Sequence, residues 1–147
     1  MRWTIGHVGE VEGLMWEDID MDARTITFQA NELRELKTDQ RARKLPMTEP
    51  LYQLLKDMPT SHSGSIFRYK PQYDWGNNIR KHYRKIEGNV TPKSCRHYGS
   101  GIIQSKHGDV DRRVKLIHGH GKKGATSTAE YGDIDTASLL PYLELLT

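Results

Sequence analysis

The chain has 147 residues and a mass of 16.9 kDa, room for one domain. It is polar, with 35% hydrophobic and 28% charged residues and a mean hydropathy of -0.75. Three Trp, seven Tyr and many Leu and Ile still allow one modest core. No apolar stretch reaches the roughly 18 residues of a membrane-spanning helix, and Met1 to Thr4 lack the apolar run of a secretory signal. Cys95 is the sole cysteine, which excludes an intrachain disulfide and a cysteine-based zinc site. A reducing, cytoplasmic setting is the expectation.

Val8, Val11, Leu14 and Met15 recur at helical spacing and predict a first helix over roughly Ile5 to Trp16. Thr25 to Gln29 alternates and is β-branched. Leu33 to Lys37 and Arg43 to Met47 flank a polar connection, Thr38 to Ala42, suited to a hairpin. Together these predict a small three-stranded antiparallel sheet.

Helical pattern returns at Thr48, a cap residue followed by Pro50, with Leu51, Leu54 and Leu55 expected on one buried face. Pro71 opens a further predicted helix through about Ile86. Thr91-Pro92 opens another through about Gln104, and Asp109 is expected to cap one ending at Ile117. Thr126 to Tyr131 reads as a short helical turn. A last amphipathic helix is expected over Thr136 to Leu146. The fold class is therefore α+β, mainly α, in a single domain over 1–147.

Charge is unevenly spread. Between Arg80 and Lys123 stand 12 Lys or Arg against three acids, while no cation follows Lys123. A basic middle interleaved with Tyr and His suits a polyanion such as double-stranded DNA, although a solvated charged surface has the same composition.

Five segments carry chemistry in combination: Gly9-Glu10 with Leu14 to Asp20; Leu36-Lys37-Thr38 with Arg43-Lys-Leu-Pro46; Thr91 to His97; Leu116-Ile-His-Gly-His120; and Thr126 to Tyr131. In order, spacing and residue type they resemble the catalytic domain of the tyrosine recombinases, the phage integrase family, over nearly the whole chain. The resemblance implies site-specific DNA recombination and integration without metal or other cofactor. A tyrosine attacks a DNA phosphodiester, forms a 3′-phosphotyrosyl link and frees a 5′-hydroxyl.

By that resemblance Tyr131 is the nucleophile and Arg96 binds two phosphate oxygens, which a planar guanidinium does better than an ammonium. Lys93, three residues earlier, stands where the family accepts His or Lys. Lys37 is the hairpin lysine that protonates the leaving oxygen, and His120 hydrogen-bonds a phosphate oxygen, leaving His118 a structural role. Lys37, Lys93, Arg96, Lys122 and Lys123 are the expected DNA contacts. The family also docks its C-terminal segment on a neighbouring protomer, which implies self-association through Leu139 to Leu146, with packing in cis the alternative.

Two departures stand out. Where the family has Arg-x-Gly-Glu, this chain reads His7-Val-Gly-Glu10, and a neutral imidazole makes one hydrogen bond rather than a bidentate pair. Losing such a donor costs roughly 3–4 kcal/mol of transition-state stabilisation. Any activity should then rise below about pH 6.5, as imidazole protonates. The family's N-terminal core-binding domain is also missing from the sequence, which reads as a truncated catalytic domain. Two functions remain open: a weakened recombinase of prophage type, or a non-catalytic DNA-binding remnant. A metal site built on His97, His118 and His120 is disfavoured by the two-residue spacing and the lack of a local third ligand.

Overall fold

The computed structural model describes residues 2–36, 41–58, 63–67, 81, 91–120 and 131–147. Helix α1 (Val8–Glu12) is shorter than the expected span, because Leu14 and Trp16 turn away to bond the segment near Gly64. The Trp16 amide donates to Gly64 O at 2.9 Å, and Leu14 O accepts from Ile66 N at 3.1 Å. A 3-10 turn at Trp16–Asp18 then feeds the sheet.

Strands β1 (Ile19–Asp20), β2 (Thr25–Phe28) and β3 (Arg43–Pro46) pair antiparallel in that order. Ile26 lies opposite both Ile19 and Leu45, and Phe28 lies opposite Arg43. The three-stranded antiparallel sheet is as expected, but its membership differs. Ile19–Asp20 completes it, and 33–36 do not. Asn31 and Arg34 instead close a turn through reciprocal backbone bonds of 2.9 and 3.2 Å. The Arg34 side chain then folds inward, donating to Glu10 O at 2.7 Å and to the Asp18 carboxylate at 3.2 Å. A buried ion pair overrode the strand pattern here.

Helix α2 (Glu49–Asp57) follows Thr48 at its N-cap position, with Pro50 in the first turn. Leu51 and Leu55 are buried, whereas Leu54 is 50% exposed, so the apolar face is narrower than expected. The helix expected from Pro71 to Ile86 lies outside the described residues except for Lys81, and the turn expected over Thr126 to Tyr131 does so except for Tyr131.

Helix α3 (Pro92–His107) begins at Thr91, whose amide donates to Ser94 Oγ at 3.1 Å. It passes close to the N-terminal segment: a Cβ added at Gly99 would lie 2.5 Å from Ile5 Cδ1. Helix α4 (Arg112–His118) is capped by Asp111, which accepts from Arg113 N at 2.7 Å, two residues later than the expected cap Asp109. Gly119, at a φ of 66°, ends it in the left-handed region that favours glycine.

The expected last helix is broken in two. A 3-10 turn at Thr136–Leu139 precedes α5 (Leu140–Glu144), whose first turn contains Pro141. Leu139, Leu143 and Leu146 are buried in the core with Phe28, Leu45, Ile103 and Ile117. Leu139, Leu143 and Leu146 thus pack in cis, the alternative that the sequence left beside docking on a neighbouring protomer, while Leu140 and Leu145 stay partly exposed.

Candidate active site

Among the described residues singled out by sequence, His7, Arg96, His120 and Tyr131 come together where the N-terminus of α1, the start of β3 and the loop after α4 meet. His7 precedes α1, and its amide donates to Glu10 Oε2 at 2.8 Å. Burial would raise the Glu10 carboxyl. Arg43, reinforced by the His7 amide, outweighs that and holds it below the usual carboxylate range.

Arg43 is the hub of this region. Its Nη2 meets Glu10 Oε2 at 3.0 Å, its Nε donates to Ile117 O at 3.0 Å, and its Nη1 donates to Arg41 O at 2.8 Å. One side chain thus ties α1, the base of the β2–β3 connection and the C-terminus of α4. Sequence reading used Arg43 only as part of a motif. The usable signal was its place beside Leu45 in a strand alternating inward and outward, since an inward arginine requires a buried acid.

Arg96 projects from α3 and is also buried. Its Nη1 donates to Ile5 O and its Nη2 to His118 O at 3.0 Å. Ile5 has a φ of 52°, uncommon for a β-branched residue. Burial, and then Arg43, lower the Arg96 pKa to about 10, which still leaves a full cation at neutral pH. Lys93 is exposed in the first turn of the same helix, three residues before Arg96.

His118 fills the structural role expected of it. It is buried, and its Nδ1 is 2.7 Å from Val114 O, which makes Nδ1 the protonated nitrogen. His120 lies at the surface with its ring centroid 5.5 Å from that of His118. Burial followed by Arg96 and Arg41 lowers its pKa. The Tyr131 hydroxyl donates to His120 O at 2.7 Å, and the Tyr131 side chain is buried. An open cavity of about 330 Å³ borders its ring, lined also by Phe28, Arg43, Lys44, Leu116 and Ile134.

His7 is half-buried, and its pKa is lowered to about 4 by burial first, then by Arg96 and Arg41. It is neutral at pH 7, and the expected protonation near pH 6.5 is displaced far to the acid side. Arg2 is tied to the C-terminal segment, where its Nε donates to Leu146 O at 3.2 Å.

Lys37, Lys122 and Lys123 lie outside the described residues. Within the basic middle, Arg112 pairs with Asp133 at 2.8 Å, so part of its excess charge is neutralised internally. Among the described residues no three His, Cys, Asp or Glu side chains converge as metal ligands, and no helix is long and apolar enough to cross a membrane.

No protein-family model matches the chain, and no curated protein matches it in sequence. Solved structures do. The Tn1549 transposon integrase in complex with transposon right-end DNA matches with a TM-score of 0.57 at 20% identity, over 93% of this chain and 54% of the integrase chain. The chain has an integrase fold. Two complexes of the same integrase with circular intermediate DNA match with TM-scores of 0.57 and 0.54, both at 20% identity. They cover 99% and 98% of this chain and 56% of the integrase chain. The chain therefore spans a little over half the length of the integrase chains it matches.

Proposed function

We propose that this chain is a tyrosine recombinase catalytic domain that binds double-stranded DNA and cleaves it through Tyr131. The observation that carries this reading is the convergence on the loop after α4: Arg96 holds His118 O at 3.0 Å, and Tyr131 holds His120 O at 2.7 Å. A cationic guanidinium, an imidazole and a phenol are thereby placed at one loop although 35 residues separate Arg96 from Tyr131 in sequence.

In the cleavage step the Tyr131 oxygen bonds to phosphorus and gives up its proton to solvent water. The bond from phosphorus to the 5′-oxygen breaks, and that oxygen leaves as a hydroxyl after taking a proton from Lys37. Arg96 uses the N–H groups not directed at backbone carbonyls, and His120 donates to a non-bridging oxygen, which stabilises the charge of the pentavalent transition state. Lys93 adds positive charge on the same side of α3. Attack by another 5′-hydroxyl reverses the sequence and rejoins the strands.

The Tyr131 hydroxyl is a donor to a backbone carbonyl, so DNA binding must first move it off His120 O. The neutral His7 in the place of an arginine favours the second reading, a DNA-binding protein without strand cleavage. Incubation with a nicked suicide duplex separates the two. A covalent protein–DNA adduct absent from Tyr131→Phe supports cleavage, and duplex binding without an adduct supports the second reading.

A further inference from the structure

The site has four arginines around Glu10 and Asp18, and three of them have inward work. Arg34 serves Asp18, Gln29 O and Glu10 O; Arg43 serves Glu10, Ile117 O and Arg41 O; Arg96 serves Ile5 O and His118 O. Arg41 differs. Its side chain is 20% exposed, against 0% for Arg43 and 2% for Arg34. Among the described residues its ion pair is with Glu10 Oε1 at 3.6 Å, longer than a hydrogen bond, so that pair does not consume its N–H groups.

We propose that Arg41 supplies the second guanidinium to the scissile phosphate, replacing the arginine that the motif lacks at His7. The inference rests on the recombinase reading and adds a catalytic residue to it. Arg41 is held in place from two sides. Glu10, anchored by Arg43 and the His7 amide, is its counter-ion. Its backbone packs on the loop after α4, since a Cβ added at Gly119 would lie 3.5 Å from Arg41 Cα. It therefore stands between the turn carrying His7 and the loop carrying His120.

The electrostatics agree with this placement. The positive charge of Arg41 contributes, after burial, to the lowered pKa values of His7, Arg96 and His120. Cationic and polar donors held close together attract a dianionic transition state more strongly than a monoanionic ground state, which is the requirement for catalysis. The Glu10 carboxylate keeps the guanidinium oriented before DNA arrives, as a preorganised donor must be.

The test uses the full chain on a nicked suicide duplex, with Tyr131→Phe as the blank and far-UV circular dichroism to verify folding. Arg41→Ala is expected to slow adduct formation on the order of 10²-fold while changing duplex affinity only a few-fold. Arg41→Lys keeps the charge but not the planar fork, and is expected to recover part of the rate. His7→Arg should restore the Arg41→Ala variant yet add less than about tenfold to the wild type, where one donor is already in place. A wild-type adduct rate in Arg41→Ala overturns the proposal and leaves the recombinase reading intact. So does an equal gain from His7→Arg in both backgrounds. If Arg41→Ala does not fold, Arg41→Lys decides, and a wild-type rate there overturns the role of the fork. Wild type and Tyr131→Phe both blank would remove the recombinase reading and this proposal with it.

Discussion

Arg43 Nη2 and Glu10 Oε2 lie 3.0 Å apart with 0% and 5% of their side chains exposed, which makes them a buried ion pair between a strand and a helix. Removing one partner strands the other charge. Glu10→Ala and Arg43→Ala are each expected to cost about 3–5 kcal/mol in urea unfolding, with a double variant costing less than the sum. Because the Glu10 pKa is lowered on folding, its contribution is complete above the ordinary value of 4.5 and is lost as the pH falls below it.

Histidines give the opposite end of the same acid-side dependence. His7 binds its proton at about 4 when folded and near 6.5 when unfolded, and burial lowers His118 as well. Between those values the unfolded chain carries more protons, so stability should fall as the pH drops from 6.5 toward 4. His7→Ala should flatten that part of a melting-temperature profile. Cleavage should show no rise near pH 6.5, contrary to what the unperturbed imidazole predicts.

Gly119 sets the approach of two arginines to the loop. An alanine there would hold a positive φ and place its Cβ 3.0 Å from Arg43 Nη1. Gly119→Ala should cost about 1–2 kcal/mol from the backbone alone, and more if Arg43 must yield. Calorimetry of Gly119→Ala beside Gly101→Ala, where a Cβ meets nothing within 4 Å, isolates the effect.

Duplex binding should be strongly salt dependent, with each phosphate contact contributing about -0.9 to the slope of log K against log salt. Lys93→Ala should reduce the magnitude of the slope by about one contact. Arg112→Ala should leave it nearly unchanged, because Asp133 already neutralises that guanidinium. A slope near zero in the wild type would remove DNA from its partners.

Leu143→Ala tests where the C-terminal leucines belong. Leu143 is 0% exposed, so truncation leaves a cavity and should cost about 2–5 kcal/mol in the isolated monomer. A stability loss that appeared only at concentrations where the protein self-associates would return these leucines to an interface between copies.

Local chemistry made much of the fold legible. Thr91-Pro92 marked the start of α3, and Thr48 with Pro50 marked α2, because caps and proline act within one turn. What escaped was set by distant partners. Arg34 left the strand pattern to reach Asp18, and Pro141 split a helix whose leucine spacing alone looked continuous. At the site, motif spacing picked out Arg96, His120 and Tyr131, which the fold brings to one loop. It missed Arg43 as the buried partner of Glu10, since the need for a counter-ion is visible only when the two are seen side by side. Lys37, Lys122 and Lys123 fall outside the described residues, so their roles stay with the recombinase proposal.

The hydrogen bonds of Arg43 and Arg96 also fix when the site comes into being. Arg43 reaches forward 74 residues to Ile117, and Arg96 reaches back 91 residues to Ile5. Contacts of such sequence separation close large loops before they return any energy, and they slow folding. A chain emerging from the ribosome has no such site until α4 is made, and a partly folded one carries its arginines unmatched. Assembly of the arginine cluster around Glu10 is in this way tied to completion of nearly the entire fold.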